Sequence, residues 1–120
     1  MQNHASTVWR QYVDKSSFKN LLVLAHSAGG GCVSRLMMDF PESFFGKVKQ
    51  LAYTDSWVID KSELPKEYHR FMEERAVHYV ASSLPLGSQE SGSTTICQHV
   101  SAGHSKHEYT TGKAWPMIMF

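Results

Sequence analysis

An α/β fold, a parallel sheet flanked by helices, follows from three features of the 120 residues. Short apolar runs of strand length alternate with segments of helical periodicity. Strands reached through helices run parallel, with right-handed crossovers, because a hairpin cannot return a chain in the same direction. One run, Leu21 to Ala25, is apolar at every position, the pattern of a strand buried on both faces. No internal repeat or low-complexity tract competes with this reading.

Taken in order, Val8, Trp9, Tyr12 and Val13 fall on one helical face before Lys15-Ser16-Ser17 breaks the pattern. After the strand at Leu21 to Ala25, residues Cys32, Val33, Leu36, Met37 and Phe40 continue as an amphipathic helix that Pro41 stops. Val48 to Thr54 read as a second strand ending at Asp55, and Glu63 to Arg75 as a helix. Val77 to Ser82 form a short third strand, residues 83 to 93 a Ser/Gly/Pro loop, and Thr94 to Ser101 a fourth strand leading to Gly103 and His104. Glu108 to Trp115 close the chain as a short helix. A sheet of this kind needs cover on both faces, and the strand at Leu21 would lie at an unpaired edge unless something precedes it. The expectation is therefore a single partial domain over residues 1 to 120, the C-terminal half of a larger fold whose upstream strands are absent.

Composition narrows the function classes. A formal charge of +1 with no basic run argues against direct nucleic-acid binding, whose affinity rests on neutralised phosphates. Two cysteines, Cys32 and Cys97, are too few for a disulfide framework and fit a reducing compartment as small buried residues. The start, MQNHAST, carries no apolar signal segment, and no run approaches a membrane span, so no membrane contact is expected.

The chemistry concentrates where "LLVLAHSAGGG" runs an apolar strand into a serine among the smallest residues. A strand that turns sharply into a helix holds its turning residue in a strained conformation only if the flanking side chains are small. Ala25-His26-Ser27-Ala28-Gly29 matches the nucleophile elbow Gly-x-Ser-x-Gly, with Ala25 in place of the first glycine. A serine there projects its hydroxyl above the sheet beside a helix N-terminus that favours negative charge. Close strand-helix packing would select the same small residues, and the context decides: an acid and a histidine follow at later strand ends, in the order Ser, Asp, His. Asp55 stands at the C-terminal end of its strand, the edge where doubly wound sheets place their chemistry, although a carboxylate there also suits a turn. Glu90, in the loop after the third strand, is the rival acid. For the base, "SAGHSKHEY" offers His104 and His107, of which His107 is preferred. The candidate catalytic set is Ser27, Asp55 and His107.

A zinc site from His99, His104 and His107 lacks a carboxylate or thiolate at ligand spacing, so no metal or other cofactor is expected. His4, His69 and His78 read as surface or satisfied structural histidines, and Glu73-Glu74-Arg75 as a solvated helix face.

"VLAHSAGG", "LAYTDS", "VASSLPLG" and "VSAGHSKHEYTTGKAWP", in that order and spacing, resemble the Arb-type domain family, named for the fungal second Argonaute-binding protein and shared with animal cotranscriptional regulators. The resemblance covers about residues 5 to 120, and the last motif is the most specific. It implies an α/β-hydrolase-like fold and maps the family's serine elbow onto Ser27, its "TDS" motif onto Asp55, and its final His-Glu pair onto His107-Glu108. It also implies nuclear work, with the cytoplasm as a second compartment, among Argonaute, chromatin and splicing proteins. The motif suggests serine hydrolase activity as the alternative function, with Ser27 as nucleophile. Two departures stand out: the upstream loop that normally supplies an oxyanion-hole N–H is missing, and near "SSLPLG", where relatives carry acids, this chain has Leu84 and Gly87, which weakens Glu90 against Asp55. The open edge of the first strand implies self-association.

Overall fold

The computed structural model describes residues 2–90 and 96–119. A single four-stranded sheet runs through them in the order β1-β2-β3-β4, formed by Leu21–His26, Val48–Thr54, Ala76–Val80 and Gln98–Ser101. Every neighbouring pair is parallel, with Leu24 opposite Ala52, Tyr53 opposite His78, and His78 opposite His99. Helices α1 (Gln2–Tyr12), α2 (Gly29–Asp39), α3 (Pro41–Lys47), α4 (His69–Arg75) and α5 (Thr110–Ile118) surround it. The expected α/β architecture is the observed one. No described helix is long and apolar enough to cross a membrane.

The two faces of the sheet are covered unequally. On one, Leu51 and Tyr53 of β2 pack with Trp9 of α1, Met37 of α2, Phe44 of α3 and Met72 of α4 in the larger core. On the other, Ala52, Tyr79 and Val100 meet Ala114 and Ile118 of α5 in a smaller cluster. Burying side chains of this size contributes about 1.5–3 kcal/mol each, so the first face dominates the stability.

Several elements differ from the expectation, for local reasons. In α1 Trp9 alone of the expected face is buried; Val8 and Tyr12 are exposed, because Ala5 and Val13 fill the rest of the contact. Pro41 ends α2 and also opens α3 at its first turn, where its missing N–H costs nothing. Pro65 shortens the helix expected from Glu63: a 3-10 turn at Lys66–Tyr68 precedes α4, which starts at His69. The fourth strand is confined to Gln98–Ser101; the expected start at Thr94 and the end of the loop at residue 93 lie outside the described residues. The last helix starts at Thr110, after a 3-10 turn over His107–Tyr109. Strand β1 is not buried on both faces: Leu22 and Leu24 are exposed at the sheet's edge, while Ala25 and the partly buried Val23 face the core.

Candidate functional site

The C-terminal ends of β1 and β2 lie side by side, and each is followed by a residue with positive φ that is not glycine: Ser27 at +56° and Asp55 at +42°. Such a conformation crowds Cβ against the backbone and is uncommon outside glycine, asparagine and aspartate. Here the surroundings impose it. The Ser27 carbonyl oxygen accepts three hydrogen bonds, from the Ser56 hydroxyl at 2.7 Å, the Trp57 N–H at 3.2 Å and the Gly30 N–H at 3.3 Å. The elbow after β1 is thereby tied to the turn after β2. The tie requires Gly30: a Cβ there would lie 1.7 Å from the Trp57 carbonyl oxygen. One glycine of the Gly29-Gly30-Gly31 run is thus demanded by close approach, as small flanking residues at an elbow predict.

Asp55 reaches two partners. One carboxylate oxygen accepts the Ala81 N–H at 3.2 Å, and the other lies 2.5 Å from Nδ1 of His107. With Nδ1–H donating to the carboxylate, the neutral imidazole of His107 keeps its lone pair on Nε2, as a general base requires. Partial burial pushes the Asp55 carboxyl up, but the hydrogen bonds from His107 and Ala81 outweigh it and hold the carboxyl below its ordinary value. The His107 ring also packs on that of His26, with centroids 4.4 Å apart. Nδ1 of His26 is 2.8 Å from the Thr54 carbonyl and 3.1 Å from its hydroxyl, which meets Thr111 of α5 at 2.6 Å.

Of the candidate residues, the structure joins Asp55 and His107 directly and sets Ser27 at the turn between β1 and α2. Among the described residues no hydrogen bond links the Ser27 hydroxyl to His107. Glu90 does not approach His107: its N–H bonds the His99 carbonyl at 3.1 Å, on the far edge of the sheet. His104 turns away as well, its Nδ1 accepting the Lys106 N–H at 3.0 Å and its ring lying against Tyr109.

Three contributors were not singled out by sequence reasoning. His26 sits inside the elbow motif, but in a position the pattern leaves free. Ser56 was legible only as the third residue of "TDS". His78 is buried and structural, as expected, yet it bears on the site: its Nε2 accepts the Ser56 N–H at 2.9 Å. That bond needs a neutral ring. Burial, assisted by neighbouring His99 and opposed by Asp55, pushes the His78 pKa down to about 4. Its Nδ1 finds no partner among the described residues, so the ring is only half satisfied where a fully satisfied one was expected. Cys97 is a buried thiol pushed up to about 12 by that burial, which leaves it unreactive. No cluster of three metal-ligating side chains occurs among the described residues.

Compared with known proteins, residues 1–86 match the family model described as the Arb2 domain. A "Cotranscriptional regulator ARB2A homolog" of Xenopus tropicalis is 34% identical over 121 residues, covering 98% of this chain. The human "Cotranscriptional regulator ARB2A" is 32% identical over 118 residues, again 98% of the chain. The homolog of Dictyostelium discoideum is 29% identical over 113 residues, or 91% of the chain. The chain spans 28% of the length of the Xenopus and human relatives and 29% of the Dictyostelium one. No solved structure matches it.

Proposed function

The chain belongs to the Arb2 domain family, and from that premise we propose that it acts as an interaction domain in nuclear cotranscriptional regulation, contacting Argonaute, chromatin and splicing proteins. The observation that carries this reading is the similarity of nearly the whole chain to proteins named cotranscriptional regulators. The surface is compatible with it. Trp57, 68% exposed, follows the Asp55 turn, and Tyr109, 52% exposed, follows His107. Large aromatic side chains beside a polar corner are the composition of protein contact sites.

In this reading the Ser27–Asp55–His107 corner is a rigid scaffold for the contact. Tagged chain expressed in cells should co-purify with Argonaute, Ser27→Ala should leave the yield unchanged, and Trp57→Ala with Tyr109→Ala should reduce it. Capture lost in Ser27→Ala with the fold intact would overturn the scaffold view.

The second reading is a serine hydrolase, esterase or amidase. It is favoured by one specific arrangement, a carboxylate bonded to Nδ1 of a histidine beside a serine with positive φ. In such a site His107 takes the Ser27 proton as the hydroxyl attacks an acyl carbon, and Asp55 holds the imidazolium that results. A fluorophosphonate probe separates the two readings. Little labelling is expected if the corner serves as a scaffold. Strong labelling of the wild type that vanishes in Ser27→Ala would make the enzyme the better reading.

A further inference from the structure

Two histidine rings meet at the strand ends, and each is held in the same tautomer. Nδ1 of His26 lies 2.8 Å from the Thr54 carbonyl, which can only accept, so Nδ1 carries the proton. Nδ1 of His107 donates in the same way to the Asp55 carboxylate. Each neutral ring is left with its lone pair on Nε2. The two Nδ1 atoms face adjacent residues, Thr54 and Asp55, so the two Nε2 atoms both point away from that turn, and both rings are exposed.

Histidines that hold a metal are wired in this way. A ligating imidazole almost always donates its other N–H to a carboxylate or a backbone carbonyl, which fixes the ring and makes the free nitrogen more basic. His107 has the carboxylate and His26 the carbonyl. The spacing agrees as well. Two imidazoles on one tetrahedral zinc ion, with Zn–N bonds of about 2.0–2.1 Å, have ring centres about 5 Å apart. Here the centroids are 4.4 Å apart and the rings are tilted by 32°, so a small rotation of either ring closes the difference. A second close pair, His78 and His99, lacks these properties: its centroids are 4.6 Å apart, but His78 is buried and its Nε2 already accepts the Ser56 N–H.

We propose that His26 and His107 form an exchangeable zinc site, holding one ion between their Nε2 atoms. Imidazole suits borderline ions such as zinc, whereas magnesium and calcium prefer oxygen donors. Neither nitrogen has to lose a proton: two Zn–N bonds form and two waters leave the hydrated ion. With no third ligand among the described residues, water fills the remaining positions, and the ion comes and goes with the free zinc level. Occupancy takes up the Nε2 lone pair of His107 and sets a divalent charge beside the Ser27 turn, so zinc masks the corner. The site is the same whether that corner is a scaffold or a hydrolase centre.

The test is calorimetric titration of the chain, carrying no histidine tag, with zinc chloride at neutral pH. One ion per chain is expected, with no response to magnesium chloride. His26→Asn and His107→Asn should each abolish that binding, and His104→Asn should leave it unchanged. Asp55→Asn keeps both ligands but removes the charge behind His107, and should weaken binding by about 10–100-fold. If a ligand variant fails to fold, the imidazole nitrogen shifts of the wild type decide: zinc should move Nε2 of His26 and His107 together and leave His4 and His69 in place. No zinc binding by the wild type, equal binding of magnesium, binding that survives His26→Asn, or shifts confined to other histidines would each overturn the proposal.

Discussion

Four described residues take positive φ, and they divide into two kinds. Gly87 and Gly103, at +85° and +80°, turn the chain on either side of β4 with no side chain to strain. Ser27 and Asp55 make comparable turns at the ends of β1 and β2 with side chains in place. Glycine would suit all four positions on conformational grounds. A chain that uses it at two and not at the other two is holding a hydroxyl and a carboxylate where strain is the cost of having them. The difference separates turns made without a side chain from turns that keep one, and the candidate site lies at the second kind.

Both strained turns depend on the tie through the Ser27 carbonyl, and Gly30→Ala attacks that tie directly. A methyl group 1.7 Å from the Trp57 carbonyl oxygen cannot be accommodated by a side-chain shift, since the clash is with backbone. We expect a loss of about 4 kcal/mol or more, read as a collapsed urea midpoint. A near-normal midpoint would mean that the two turns are held independently.

The next largest effect is on pH. His78 anchors the Asp55 turn as a neutral acceptor, and its folded pKa of about 4 lies below the ordinary 6.5. Between those values the unfolded chain binds the proton more readily than the folded one. Stability is therefore fully present above about pH 6.5 and falls as pH drops toward 4, by up to roughly 3 kcal/mol. His99, also lowered by burial, acts in the same direction. Asp55, held below 3.8, adds stability above that value that is lost on further acidification. Thermal midpoints from pH 7 to 4 should fall in the wild type and less steeply in His78→Gln. Parallel curves would show that His78 does not anchor the turn.

Substitution at the turns themselves sharpens the contrast by sign. Gly103→Ala places a Cβ 3.0 Å from Cβ of Leu86 and 3.3 Å from its Cα, at a φ alanine resists, and should cost about 1–3 kcal/mol. Ser27→Gly relieves the positive φ at the expense of a more flexible unfolded chain, and should be neutral to about 1 kcal/mol stabilising. Chemical denaturation of the pair checks this. Destabilisation by Ser27→Gly equal to that of Gly103→Ala would show that the serine serves the fold.

How much of this was legible in advance differs by element. Val48–Thr54 was read to the residue, because Leu51-Ala52-Tyr53 runs into an acid at Asp55 that marks the strand end. The elbow was legible for the same reason: small residues around Ser27 announce a strained turn wherever they occur after a strand. The helix before Arg75 was read too long, because its periodicity extends through Pro65 while the backbone does not. Strand β1 was read as buried on both faces, since an unbroken apolar run looks the same at the centre of a sheet and at its edge.

By itself the sequence determined the alternation of strands and helices, the positions of the turns, and the order of Ser27, Asp55 and His107, all of which depend on residues close in the chain. Tertiary structure alone decided which acid His107 meets. Asp55 and Glu90 were both admissible by spacing; the parallel register set β2 beside β1 and brought the turn of residues 54 to 57 against the elbow, while the bridge from Gln89 to Val100 carried Glu90 to the opposite edge. Tertiary structure also stacked His26 on His107 and set His78 beneath Ser56. These are contacts between residues distant in the chain, and a periodicity that repeats every two or 3.6 residues carries no information about which strands will be neighbours.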